Sequence, residues 1–312
     1  MSSSAVFAAL LPVFLLIASG VAIKRWLVTD AAHWFGIERL VYYVLFPALL
    51  INTLAHADLT RVPIGQVGGA LILSVLIMSA LCLALRPPLM SWLKLNGPAF
   101  TSLFQGATRW QTFIALAVTG SLYGEFGLAL ASVAAVAMIP LLNVINVWVL
   151  ARYAAPAPPR WADVLVALVK NPFIWSCAIG IALNLLHVPI PKAVRVFADA
   201  LGSAALPLGL LLVGAGLRVV SLMRPSAATW LSSALKLIVM PTFAVTLGIM
   251  FGATGIPLAV IACCAAVPTA FNAYVLARMM GGDTVLLAEI LTVQTILAAM
   301  TMPVAIELVS RW

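Results

Sequence analysis

Arg109, Gln111 and Asn272 are the residues of this sequence best placed to do chemistry, because each sets a polar group where a lipid bilayer tolerates none. Arg109 and Gln111 lie in GATRWQTFIALA, Gly106 to Ala117, near the middle of an otherwise apolar run, and Asn272 lies near the middle of another, CCAAVPTAFNAYV. An arginine at the bilayer centre costs about 2.5–3.5 kcal/mol on insertion scales, so such a side chain normally faces a cavity or a partner. The chemistry on offer is binding. A guanidinium presents a planar fork that takes a carboxylate through two parallel hydrogen bonds, and side-chain amides add neutral bonds. No acid lies in the same run as Arg109, so its counter-charge belongs to another segment or to a ligand.

The same residues have plainer readings. Arg109 could pair with Glu289 or a carbonyl, and Gln111 and Asn272 could bond across packed helices, as amides do in membranes. Asn52, Asn143 and Asn146 suit that packing role too. Lys236 and Glu289 lie near enough to the ends of their runs to snorkel to the interface. Pro47, Pro140, Pro207, Pro241 and Pro303 read as kinks.

The elements that must position these groups follow from composition. Of 312 residues, 64% are hydrophobic and 8% charged, against about 25% charged in soluble domains, and the mean hydropathy is +1.16. The solvent is therefore a bilayer. The 17 basic residues against 9 acids stand singly at the ends of apolar runs, where they orient membrane spans, so nucleic acid is not an expected partner. The four cysteines lie inside apolar runs without CxxC spacing and read as small buried residues. The N-terminus lacks the basic n-region of a secretory signal.

A span needs about 20 mostly apolar residues. That rule predicts ten, near 5–23, 37–55, 66–85, 98–119, 126–150, 164–187, 193–217, 228–250, 257–280 and 284–309. Loops after the odd-numbered spans hold Lys24, Arg25, Arg86, Lys94, Arg152, Arg160, Arg218, Arg224 and Arg278, and the opposite loops hold Arg61, Lys192, Arg195 and Arg311. The positive-inside rule puts the richer set in the cytoplasm and both termini on the other side.

The sequence also repeats. Pro12 and Gly20 recur 160 residues later as Pro172 and Gly180, Pro47 recurs as Pro207, and TRWQTFI from Thr108 matches TAFNAYV from Thr269 at an offset of 161. Residues 1–150 and 164–312 thus form two five-span repeats joined by a short cytoplasmic linker, 151–163. Five is odd, so the second repeat enters the membrane inverted, the pattern of secondary transporters with a midplane site. Pro268 should break span nine, since it lacks an N–H and clashes with the carbonyl four residues back. The half-helix starting near Thr269 would then aim its positive end at the site, which suits an anion. Span four has no proline, and Gly106 is its weak point.

Enzyme chemistry is poorly represented. There is no GxxxxGK[ST], HExxH or GxSxG, and His33, His56 and His187 offer no metal-ligand spacing. No cofactor, metal or catalytic residue is expected.

The order LPVFLLIASGVAIKR, YYVLFPALLINTLAHADL, NPFIWSCAIGIALNLLHVPIP, LGSAALPLGLLLVGAGL resembles the bacterial branch of the auxin efflux carrier family, relatives of bacterial malonate carriers with a fold of the bile acid/auxin carrier type. The resemblance covers essentially the whole chain. It implies an all-α membrane protein of ten transmembrane helices in two inverted five-helix repeats, with helices 4 and 9 broken and crossing. Spans 1, 2, 6 and 7 would form a scaffold that often dimerises; spans 3–5 and 8–10 would form a moving bundle. Carried onto this chain, the substrate site falls on Thr108, Arg109, Gln111, Phe113, Pro268, Thr269, Asn272 and Tyr274, with Asn52 as a further candidate. Gln111 stands where the family has asparagine, and span four lacks the proline of many members. The long cytoplasmic loop of plant exporters is absent. The function expected is alternating-access transport of small organic anions, mono- or dicarboxylates such as malonate or malate, across the bacterial inner membrane. Proton or sodium symport is open, with Glu289 and Asp199 as the intramembrane acids. A receptor or channel using the same cavity is the rival reading.

Overall fold

A computed structural model describes residues 3–57, 63–154, 172–218 and 225–310, all helix, turn or irregular chain, with no strand among them. The first half contains α1 (Ser3–Trp26), α2 (Ala31–Leu40), a π turn (Val41–Leu45), α3 (Phe46–His56), α4 (Ile64–Ala84), α5 (Arg86–Trp92), α6 (Gly97–Thr108) and α7 (Thr112–Tyr153). The second contains α8 (Pro172–Leu185), α9 (Lys192–Gly216), α10 (Ala227–Ala234), a second π turn (Leu235–Val239), α11 (Met240–Met250), α12 (Gly255–Ala266), α13 (Asn272–Met280) and α14 (Thr284–Ser310).

Seven helical stretches among the described residues are long and apolar enough to cross a membrane: Val6–Trp26, Ala31–His56, Ile64–Ala84, Gly97–Tyr153, Lys192–Gly216, Ala227–Met250 and Thr284–Val309. Gly97–Tyr153 holds two expected spans, and Gly124 (φ 61°, ψ −149°) kinks the chain between two helical stretches inside α7. That conformation is open to glycine and strained for other residues. The ninth expected span is divided between α12 and α13. The sixth is described only from Pro172; its beginning and the linker, 155–171, lie outside the described residues. The break after span three is not all loop, since RPPLMSW forms α5.

Lipid is the solvent that α1 requires. Its inward residues Val6, Leu10, Val13 and Ile17 are buried, yet outward-facing Phe7, Leu11 and Leu15 are just as apolar. A helix apolar all round has no face for water. The two π turns share a cause. Pro47 and Pro241 stand just past them, and each proline crowds the carbonyl four residues back. Widening the preceding turn relieves that crowding.

The helices pack in two groups. α1 lies along α9, and α3 along α8 and α9; α4 packs on α7 and α11, while α12 packs on α7, α11 and α14, and α6 on α7, α10 and α14. The first group is drawn together at glycines. A methyl on Gly20 would stand 2.2 Å from the Leu211 carbonyl oxygen, and one on Gly214 1.9 Å from that of Ile17. Small residues let membrane helices approach to backbone contact in this way. Asn184 Nδ2 closes the end of α3, its two N–H groups shared among the carbonyls of Leu54, Ala55 and Ala57 at 3.0, 3.0 and 2.7 Å.

Candidate functional site

Two helices break at the same level and cross. α12 ends at Val267, extended (φ −67°, ψ 150°) because a residue before proline is pushed out of the helical region. The chain runs irregularly through Pro268, Thr269 and Ala270 before α13 begins at Asn272. α6 ends just as sharply without a proline: Arg109 is extended (φ −67°, ψ 157°), Gln111 follows at φ −87°, ψ 93°, and α7 begins at Thr112. Gly106 is not the weak point. It sits inside α6 as a contact surface, where a methyl would meet Ser232 Oγ at 2.3 Å and Ile290 Cγ2 at 2.7 Å.

The breaks hold each other. The Gln111 N–H is donated to the Pro268 carbonyl (3.2 Å), and Thr269 Oγ1 to the Gln105 carbonyl (3.1 Å). Gln294, buried on α14, spans both: its Oε1 accepts from the Thr269 N–H (2.9 Å) and its Nε2 donates to the Gly106 carbonyl (3.1 Å). Exposed backbone donors and acceptors at membrane depth cost several kcal/mol unless satisfied inside the protein, and Gln294 satisfies one from each break. Sequence reading passed over Gln294, although an amide within QTILAAM, midway along span ten, was the available signal.

Arg109 is 4% exposed and donates from Nη1 to Asn272 Oδ1 at 2.8 Å. A guanidinium has five N–H donors; here Nε is buried with no acceptor. Glu289, its suggested partner, is occupied elsewhere, accepting from the Ser226 N–H and from Thr229 Oγ1 (2.6 Å) at the start of α10. Other buried polar atoms around the break also lack partners: Trp110 Nε1, Gln111 Nε2, and both amide atoms of Gln105. Most are donors. Asp30, Asn96, Ser226 and Asp283 cap the helices they precede; α7 and α13, which begin at the crossing, have no side-chain cap, as is also true of α4, α9 and α12. At α13 the N–H groups of Ala273 and Tyr274 turn back to the carbonyls of Ala270 and Phe271, so the positive dipole ends of the two helices, more than free donors, add to the same field. Asn272, the partner of Arg109, is itself exposed.

The remaining expected residues are placed as follows. Thr108 is buried and donates to the Phe104 carbonyl (2.8 Å) and to Asn146 Oδ1 (3.3 Å), making Asn146 a packing partner. Phe113 lies on Phe46 (ring centroids 4.6 Å apart) and against Gly209, at the seam with α3 and α9. Tyr274 stacks on Phe271 and accepts from Arg218 Nη2 (3.0 Å) beyond the end of α9, near where Lys24 Nζ donates to the Ala215 carbonyl (2.5 Å). Asn52 is not brought to the crossing; it pairs with Asp199 between α3 and α9. Lys236 does not snorkel. It is 1% exposed, because neighbouring helices that no single-span reading can see close over it. The four cysteines are free and buried.

Fold and site together define an all-helical protein with membrane-spanning helices and a cationic, donor-rich crossing of two broken helices. Residues 161–306, just under half of the chain, match the family described as membrane transport protein. No curated protein matches the chain.

Proposed function

We propose that this protein is a secondary carrier of small organic anions, mono- or dicarboxylates of the malonate or malate kind, working by alternating access. The observation that carries the reading is Arg109: a buried guanidinium with one neutral partner, Asn272, and no carboxylate among the described residues, at the crossing of two broken helices. Such a group awaits an anion. The uncapped starts of α7 and α13 and the orphan donors beside them favour the same ligand. The family match to transporters supports transport over catalysis.

In this reading the chain forms ten spans in two inverted repeats, 1–150 and 164–312, and the paired breaks at Thr108 and Thr269 support it. The α1, α3, α8, α9 group acts as scaffold and dimerises; the other group carries the site. The protein lies in the bacterial inner membrane with both termini outside the cytoplasm. The exposed side of Asn272 then faces the cytoplasmic end, where Lys24 and Arg218 gather. Coupling to a proton or sodium ion is part of the proposal, without assignment to an acid.

The test is counterflow in proteoliposomes loaded with unlabelled malonate. A carrier accumulates labelled malonate transiently. A receptor gives binding without accumulation, and a channel gives equilibration without overshoot; either result overturns the proposal.

A further inference from the structure

α13 carries Asn272, the partner of Arg109, yet little holds it in its own group. It packs on α6, α7 and α14 but adds no side chain to the main hydrophobic core among the described residues. Ala273 and Ala277 instead form a small separate cluster with Leu287 of α14, and Tyr274 lies against it. Asn272, Val275, Arg278 and Met279 are exposed. Burying two alanines contributes little, and a helix of nine residues is not stable alone. Other contacts must set its position.

Those contacts come from across the boundary between the two groups. α9 ends at Gly216, and Leu217 turns the chain out of the helix (φ −71°, ψ 144°). Arg218 then reaches over. Its N–H is donated to Thr292 Oγ1 on α14 (3.0 Å) and its Nη2 to the hydroxyl of Tyr274 (3.0 Å). Its guanidinium carbon stands 5.5 Å from the centre of the Tyr274 ring, within cation–π range. Phe271 stacks on Tyr274 and presses on Gly216, where a methyl would meet its Cδ2 at 2.5 Å. The base of the contact is fixed, because Lys24 Nζ on α1 donates to the carbonyl of Ala215. No carboxylate engages Arg218 among the described residues, and Lys24 is close enough to repel it. The contact therefore holds α13 without locking it.

We propose that Arg218 and Tyr274 form a conformational clasp. It fastens α13 to the end of α9, keeps Asn272 at Arg109 in this conformation, and opens each time the two groups move. This rests on the carrier reading and deepens it, since a carrier must break and remake contacts between its two groups in every turnover. Tyr274 acts here through α13, as a positioning residue.

The test is hydrogen exchange over residues 272–280, read by mass spectrometry on the full-length protein in nanodiscs, together with malonate counterflow. Arg218→Gln and Tyr274→Phe should each speed exchange of α13 by about 3- to 10-fold, the range of one hydrogen bond, and leave α1, α9 and the Tm unchanged. The double variant should exchange no faster than the quicker single one, because both act through one bond. Arg218→Lys, which keeps charge and a donor, should restore part of the hold. With the clasp loosened, counterflow at saturating malonate should run faster by a similar factor, while Arg218→Gln keeps the wild-type Kd for malonate. A merely structural contact would loosen α13 and leave turnover as it was. Wild-type exchange in either single variant, or a double variant that adds the two effects, overturns the clasp. Faster exchange with unchanged or slower counterflow overturns it too, and all three leave the carrier reading standing. A wild type without counterflow overturns the carrier reading, and the inference with it. Should Arg218→Gln not fold, Tyr274→Phe carries the comparison; if neither folds, the contact is structural and the proposal fails.

Discussion

The backbone N–H of Gln111 is donated to the carbonyl of Pro268 at 3.2 Å, so each broken helix supplies part of what the other's interruption leaves open. Pro268 has no N–H to offer the carbonyl four residues back, so α12 stops before it, and the irregular chain that follows leaves the carbonyl of Pro268 itself open. Gln111 uses that carbonyl to hold a break that its own sequence does not force. The crossing is therefore one cooperative unit, and substitutions on either strand should be felt on both.

Arg109→Ala should lower malonate affinity by about 10- to 100-fold while the protein stays folded, the range for a charged hydrogen bond. Arg109→Lys should fall between, keeping charge but losing the bidentate fork. Asn272→Ala should cost only about 2- to 10-fold, as a neutral bond does. Calorimetry on monodisperse protein reads all three. Wild-type affinity in folded Arg109→Ala would falsify the assignment.

Gln294→Leu should destabilise the protein by about 2–6 kcal/mol, because the Thr269 N–H and the Gly106 carbonyl each become buried and unpaired at about 1–3 kcal/mol. Gln294→Glu keeps the acceptor and should lose less. Chemical denaturation in detergent measures this; equal stability of Gln294→Leu and wild type would show that the amide does not hold the crossing.

Gly106→Ala should destabilise by about 1–3 kcal/mol, as overpacking does, since the new methyl meets Ser232 Oγ at 2.3 Å. Adding Ser232→Ala removes that atom and should recover part of the loss, with Ile290 still in contact. The pair of melting curves settles it, and no recovery would place the clash elsewhere.

Glu289→Gln and Asp199→Asn should leave malonate counterflow intact from pH 5 to 8, because both carboxylates are engaged away from the crossing, with Ser226 and Thr229 and with Asn52. A pH dependence abolished by either variant would return that acid to the coupling role.

Cysteine labelling in intact cells should find both termini outside and a tag at residue 157 inside. A cytoplasmic N-terminus would reverse the orientation taken from the loop charges and leave the paired breaks untouched.

Much of this was legible in the chain. Pro268 broke its helix for a local reason, and the polar run from Thr108 fell where α6 ends. The expected spans fell on helix where they are described, apart from the interruptions at Arg109–Gln111 and Val267–Ala270. What was not legible depends on neighbours distant in sequence. The break at Arg109–Gln111 is held by Pro268, and Gln294 bridges from α14; no local propensity encodes either. Lys236 read as a snorkelling cation because one span considered alone always has a route to water, which packing removed. Gly106 was taken for a hinge, yet it is small because Ser232 and Ile290 press on it.

The glycine seam between α1 and α9 has a mechanical consequence. Where Gly20 and Gly214 set main chain against main chain, there is no layer of side chains to change rotamer and let one rod glide over the other. That seam behaves as a weld. Any large displacement within the molecule must be taken up where side chains, not backbones, meet: between Phe113 and Phe46, and where the ring of Phe271 rests on Gly216.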